Sequence, residues 1–292
     1  MDGHDVRLAA GPAPDRVTPV DGTALPAALR VARRLTGDLR QVRAHRGGNT
    51  VVVLVGDLVV RVGNNWPLSV DLEARCCAAA LAGGVPAPRI VELGECLGNA
   101  YLVYRRMTGW PPEDVDAVRH AGAVLGRLHD IDPVDFPIEQ SSQPRRRRRH
   151  ELAAAAVDRC VPRPARRWVE GLLAAARADW ANRHDTATHG DFRGVNLLAS
   201  QRRVVGVLDW SDVRRASPES DLGQVEPRHL RSLLDGYREQ TAREVDLDLV
   251  AGHSLARFLA LESTGVVRPG HARRAVRWWR GAGIISTTVR GR

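Results

Sequence analysis

His189-Gly190-Asp191-Phe192-Arg193-Gly194-Val195-Asn196-Leu197-Leu198, followed by Val207-Leu208-Asp209-Trp210, is the stretch on which the reading of this chain turns. It sets a carboxylate (Asp191), an amide (Asn196) and a second carboxylate (Asp209) within a short span. Between the last two, Arg203-Val204-Val205-Gly206-Val207-Leu208 has the β-branched run of a strand. A strand pair there would fold Asp209 back beside Asn196 and leave Asp191 on the loop before them. Phosphoryl transfer uses such a set. One carboxylate receives the hydroxyl proton, while an amide oxygen and a second carboxylate hold the magnesium that neutralises nucleotide phosphates. The plainer alternative is that Asp191 and Asn196 only cap a turn, as Asx residues do.

At these residues the chain resembles the aminoglycoside phosphotransferase family, the small-molecule branch of the protein-kinase-like fold. That family's catalytic loop reads His-Gly-Asp, four variable residues and Asn, and a strand ending in Asp-Trp follows. The resemblance covers roughly residues 38–285 and implies an α+β, two-lobed fold. A loose tail at 1–25 would precede a small β-rich lobe over 26–107 and a larger helical lobe over 108–292. It also implies transfer of the γ-phosphoryl of ATP, or of GTP, to a hydroxyl of a small molecule. Asp191 would be the base, Asn196 and Asp209 the ligands of Mg2+. Antibiotic modification, aminoglycosides first, is the use the family suggests, and a sugar, amino alcohol or amino acid is the alternative acceptor. A different class of reading is a catalytically silent kinase-like module, or a nucleic-acid-associated one.

Composition narrows the field. Hydrophobic residues at 43% and charged residues at 26% suit a soluble globular protein, and no apolar run reaches membrane-span length. The start, Met1-Asp2-Gly3-His4-Asp5, has neither the basic nor the apolar region of a signal peptide. Cys76, Cys77, Cys96 and Cys160 lack ligand-like spacing and read as free thiols of a cytoplasmic protein. All 43 Lys+Arg residues are arginine, and the formal charge is +9. Arg145 to Arg149 form an unbroken run, and 263–292 carries seven arginines with no acid. Both read as solvated surface, with nonspecific nucleic-acid attraction as the most they imply, since no aromatic–basic interleaving accompanies them.

Working outward toward the N-terminus, 39–43, 51–55 and 58–62 read as strands after a short helix over 27–35. A Gly-rich turn, His45-Arg46-Gly47-Gly48-Asn49-Thr50, joins the first two. Glycines there let backbone N–H groups approach phosphate, so Gly47, Gly48 and Asn49 are candidate nucleotide contacts beside the reading as a plain hairpin. Arg61 is a lone charge in Val59-Val60-Arg61-Val62, and the helix predicted over 70–81 carries Glu73. In the resembling family a basic residue on this strand grips the nucleotide phosphates and pairs with a helical glutamate. Arginine in place of the protein-kinase lysine keeps the charge and changes the geometry. An ordinary strand arginine is the alternative. Val85-Pro86-Ala87-Pro88 matches a further family signature, and strands over 90–93 and 100–104 lead to a hinge at 105–109.

From Pro112 the pattern turns helical. Val118, Ala121, Val124, Leu125 and Leu128 recur at helical spacing, and His129 reads as a packed histidine rather than a ligand. The arginine run would lie in a loop before a helix over 168–183. Beyond Trp210, Asp221 is expected to anchor the catalytic loop, while Asp212 reads equally as structural or substrate-facing. The span 209–262 holds eleven acids against seven arginines, a bias that would suit a polyamine acceptor if those acids faced the pocket. The oligomeric state has no sequence signal.

Overall fold

The computed structural model describes residues 22–37, 42–46, 50–63, 70–136, 143–182 and 184–281. The chain divides into two compact units. One takes the described residues up to Ala74 with Pro88–Met107, and the other takes Arg75–Ala87 with everything from Thr108 onward.

The first unit is an antiparallel sheet with a helix packed on one face. Helix α1 (Ala24–Thr36) is followed by β1 (Arg43–Arg46), β2 (Thr50–Val55) and β3 (Leu58–Gly63). Helix α2 (Val70–Ala82) begins in this unit and ends in the other, and β4 (Ile90–Cys96) and β5 (Asn99–Arg105) complete the sheet in the order β1-β2-β3-β5-β4. Alternation along β2 turns Val51, Val53 and Val55 inward, as the period-two pleat requires. They meet Ala27, Ala28, Val31 and Ala32 of α1, whose small side chains let the helix lie close to the valines. The first strand runs past its expected end, and residues 39–41 of its expected span lie outside the described residues. It occupies Arg43–Arg46, paired Ala44 to Val53, so His45 and Arg46 belong to a strand and not to the turn. Residues 47–49 lie outside the described residues, as does most of the expected tail, while Ala24 and Leu25 already belong to α1.

The second unit is built on helices α3 (Val115–Asp130), α4 (Gln143–Cys160), α5 (Arg166–Ala181), α6 (Pro218–Leu222), α7 (Leu230–Gln240), α8 (Leu247–Ser263) and α9 (His271–Gly281). Two short antiparallel ladders sit among them. Strand β6 (Ala187–Thr188) pairs with β9 (Arg214–Arg215), and β7 (Leu197–Ser200) pairs with β8 (Arg203–Val207). Helices α3 and α7 meet through a reciprocal glycine contact. A Cβ on Gly122 would stand 1.8 Å from the Leu233 carbonyl oxygen, and one on Gly236 would stand 1.8 Å from that of Arg119. No side chain fits at either position. Asp114 caps α3 through the Ala117 N–H at 2.8 Å, and Asp246 caps α8. The last helix docks through Trp279, which is buried and donates from Nε1 to Ser254 Oγ. Among the described residues no helix is long and apolar enough to cross a membrane.

The arginine run is a correction to the sequence reading. It lies in the first turns of α4, not in a loop. Pro144 is compatible with that start, because its fixed φ suits the first helical turn.

Candidate active site

The loop between β6 and β7 carries His189, Asp191 and Asn196, and it is suspended from Asp221 of α6. Asp221 is fully buried. Its Oδ1 accepts from the Gly190 N–H at 2.8 Å, and its Oδ2 accepts from the His189 N–H at 2.7 Å and from His129 Nε2 at 3.2 Å. Burial alone would raise this carboxyl. The His129 bond and the charges of His129, Arg214 and His189 outweigh burial and hold it below the ordinary carboxylate value. His129, also fully buried, has its Nδ1 2.9 Å from the Tyr237 hydroxyl, so it is a packed network residue as expected. Gly190 turns the loop at φ +83°, and a Cβ there would lie 1.9 Å from Arg214 Nη1 and 2.2 Å from the Asp212 carbonyl. Glycine is therefore required both by backbone angle and by space.

The other side of the loop is fixed by the second half of the motif. Strands β7 and β8 pair Leu197 with Val207, and the Leu208 N–H donates to the Asn196 carbonyl at 2.8 Å. Asp209 follows directly, in the left-handed region at φ 65°, ψ 68°. Aspartate tolerates that conformation better than most residues, and here it re-aims the carboxylate away from the strand direction. Ser211 Oγ donates to its Oδ1 at 2.9 Å. Trp210 is buried, donates from Nε1 to the Val207 carbonyl, stacks on Phe136 and meets His189 edge-on at 4.9 Å. His189 Nε2 donates to the Leu208 carbonyl at 3.1 Å, since a carbonyl can only accept. Each motif residue thus braces another: the Asn196 side chain meets that of Asp191, and the Leu208–Asn196 backbone bond brings the chain at Asp209 back to the same loop.

Asp191 presents one oxygen and secures the other. Its Oδ2 accepts from Asn196 Nδ2 at 2.9 Å and from Arg193 Nη2. Asn196 Nδ2 also reaches the Asp191 backbone carbonyl at 2.9 Å, which turns the Asn196 amide oxygen outward from the loop. The Asp191 side chain is 16% exposed, and its Oδ1 is not used by the bonds that hold Oδ2. An amide oxygen and a carboxylate are hard donors of the kind magnesium takes, and magnesium binds through one or two such groups with the rest of its shell from phosphate and water. The pair Asn196 and Asp209 fits that requirement.

In the first unit, Arg61 of β3 and Glu73 of α2 form an ion pair, both side chains almost fully buried. Burying such a pair in an apolar sheet adds little net stability, so a charged pair retained there points to a use. The candidate contacts Gly47, Gly48 and Asn49 lie outside the described residues.

Three arginines belong to the surroundings of Asp191 that motif reading does not reach. Arg193 is ion-paired to it. Arg149 of α4 lies within electrostatic range of Asp191, Asp212 and Arg193. Arg257 of α8 lies within range of Arg193, Glu226, Arg149 and Asp191. The Asp212 carbonyl accepts from Arg214 Nη1 at 3.0 Å, so its backbone is structural while its carboxylate acts on Arg149. Several of the eleven acids of 209–262 have structural partners. Asp221 anchors the loop, Glu219 accepts from the Asp246 N–H, Glu239 pairs with Arg119, and Glu262 caps the start of α9 through Gly270 and Ala272.

This is the layout of a protein-kinase-like phosphotransferase: a five-stranded sheet unit with a buried Arg–Glu pair and a helical unit with the His-Gly-Asp loop. The chain belongs to the phosphotransferase enzyme family, whose model matches residues 38–259. It is similar in fold to an aminoglycoside-3'-phosphotransferase of type VIII, at 21% identity and TM-score 0.56, covering 82% of this chain and 99% of that one. A choline/ethanolamine kinase family protein from Mesorhizobium loti matches at 18% identity and TM-score 0.61, covering 89% and 94%. Spectinomycin phosphotransferase, solved with ADP and spectinomycin, matches at 12% identity and TM-score 0.59, covering 87% and 94%. No curated protein sequence matches the chain.

Proposed function

We propose that this enzyme transfers the γ-phosphoryl group of a nucleoside triphosphate, ATP in the first instance and GTP as the alternative, to a hydroxyl of a small molecule in the cytoplasm. The observation that carries the reading is Asp191 and Asn196 on a loop braced by Asp221, with Asp209 returned to that loop by the β7–β8 hairpin. Asp191 Oδ1 receives the hydroxyl proton, while Arg193 and Asn196 hold Oδ2 and so fix the orientation of the carboxylate. Asn196 and Asp209 hold Mg2+, which when bound neutralises charge on the nucleotide phosphates. Arg61, kept in place by Glu73, binds nucleotide phosphate through its planar fork. The ADP in the spectinomycin enzyme supports a nucleotide donor here. The related acceptors include antibiotics and amino alcohols, and both are candidate acceptor classes on that ground.

A coupled assay of nucleotide diphosphate release, with ATP and with GTP, across aminoglycosides, other antibiotics, sugars, amino alcohols and hydroxy acids tests the proposal. Acceptor-stimulated, magnesium-dependent release is the expected result. Release that is absent with every acceptor, together with no magnesium-dependent nucleotide binding, would refute it.

A further inference from the structure

Arg149, Arg193 and Arg257 come from three different elements; Arg193 is ion-paired to Asp191, and the other two lie within electrostatic range of it. Arg149 sits on the face of α4 that carries Ala153, Ala156 and Val157 into the core, and α4 packs against α8. Its neighbours Arg147 and Arg148 point outward, and Arg147 pairs with Glu151 in the surface. Arg149 makes no ion pair or hydrogen bond among the described residues, although it is half-buried within electrostatic range of Asp191. Arg257 is held in place from behind. Its Nη1 donates to the Gln224 carbonyl at 2.9 Å, and its guanidinium lies 5.1 Å from the centre of the Phe258 ring. Neither anchor supplies a negative charge. Arg193 spends Nη2 on Asp191, and its buried Nε has no partner.

Guanidinium groups gathered at short range repel one another, and removing them from water adds to that cost. Burial, first, and the neighbouring arginines push both Arg149 and Arg257 below the usual guanidinium value. Asp191 and Asp212 at Arg149, and Glu226 and Asp191 at Arg257, offset part of this, yet Asp191 has its own proton to receive. Such an arrangement is stabilised by an anion, and the guanidinium fork matches carboxylate and phosphate oxygens. The enclosed cavity of about 20 Å³ behind Arg149, bordered by Gln224 and His253, has room for a single water, so no ligand fits on that side.

We propose that the hydroxyl acceptor itself carries an anionic group, a carboxylate or a phosphate, and that Arg149 and Arg257 bind that group beside Asp191. This rests on the phosphotransferase reading and narrows its substrate to hydroxy acids and phosphorylated alcohols. The acceptor hydroxyl oxygen forms a bond to the γ-phosphorus as the bond to the bridging oxygen breaks. The nucleoside diphosphate leaves with that electron pair, and the hydroxyl proton passes to Asp191. A polyamine acceptor would instead bring ammonium groups against three arginines.

The test supplies Mg-ATP and Mg-GTP with acceptors of differing charge: glycerate, homoserine and glycerol 3-phosphate, then glycerol and glucose, then ethanolamine and kanamycin. The anion-bearing compounds are expected to give kcat/KM about tenfold or more above the others, the scale of one charge-assisted contact. Glycerate and glycerol 3-phosphate separate the carboxylate from the phosphate source. Arg149→Gln and Arg257→Gln should each raise the acceptor KM about tenfold with a much smaller change in the nucleotide KM, and Arg257→Lys should fall between. Exposed Arg273→Gln on α9 is the control and should match wild type. Should the glutamine variants fail to fold, calorimetric titration of the wild-type Mg-ADP complex with glycerate, glycerol 3-phosphate and glycerol decides, with only the anions expected to bind. Preference for neutral or cationic acceptors, failure of every anion to bind or react, or effects confined to the nucleotide KM would each overturn the proposal. Absence of magnesium-dependent nucleotide binding and turnover with any acceptor, water included, would instead refute the phosphotransferase reading beneath it.

Discussion

Replacing Asp221 by asparagine removes one oxygen from the residue on which the catalytic loop hangs. The carboxylate accepts three donors, the N–H groups of His189 and Gly190 and Nε2 of His129. Asparagine has one acceptor oxygen, and its amide donors would face at least one of those N–H groups. A buried donor left without an acceptor costs about 1–3 kcal/mol. The lost charge also removes a favourable electrostatic partner of the buried Arg214 guanidinium, which adds to that cost. These costs overlap, so about 2–3 kcal/mol is expected in all, a drop in Tm of roughly 5–10 °C at this size. The pH dependence has a definite sign. Because the folded carboxyl lies below its unfolded value, its stabilisation is full above about pH 4 and is lost as pH falls through the depressed folded value. Wild type and variant should therefore converge in acid. Loosening Gly190 misplaces Asp191, and kcat should fall roughly a hundredfold with the nucleotide KM little changed. Calorimetric melting from pH 7 to pH 3 and steady-state kinetics measure both. A variant within 1 kcal/mol of wild type, with full kcat, would refute the anchoring role.

Arg61→Lys keeps the charge and loses the fork, so kcat/KM for the nucleotide should fall about ten- to a hundredfold. Arg61→Ala and Glu73→Ala should be non-additive in a double-mutant cycle, and simple additivity would count against one shared network. Asp209→Asn preserves a residue that tolerates the left-handed backbone and removes the charge, so calorimetry should show magnesium-dependent nucleotide binding lost while the melting curve stays near wild type. Gly236→Ala places a Cβ against the Arg119 carbonyl, and a loss of stability of about 3 kcal/mol or more by urea unfolding is expected, at the upper end for overpacking.

The catalytic loop was legible because its chemistry is local: Asp191, Asn196 and Asp209 lie close in sequence and one short hairpin joins them. Arg61 showed as a charge inside an apolar strand. The same signal stands at Arg257, alone in Leu255-Ala256-Arg257-Phe258-Leu259, and is readable in hindsight. Arg149 is a different case. Five consecutive arginines carry no periodicity, so nothing says which one faces inward until the helix phase is set by Ala153, Ala156 and Val157 further along. The acid count over 209–262 says nothing of direction, so it does not tell which acids face the pocket. Caps, ion pairs and the loop anchor consume acids without placing them at a pocket. Strand β1 runs on to Arg46 because pairing with β2 overrides weak local propensity at His45 and Arg46.

The central claim is that Asp191 receives the proton of a phosphoryl acceptor. Single-turnover transfer of labelled γ-phosphoryl from ATP or GTP, measured beside calorimetric nucleotide affinity in Asp191→Asn, tests it most directly. The account predicts transfer slowed by about a hundredfold or more, the scale of general-base loss, with Mg-nucleotide affinity close to wild type. Transfer at the wild-type rate in that variant would contradict it.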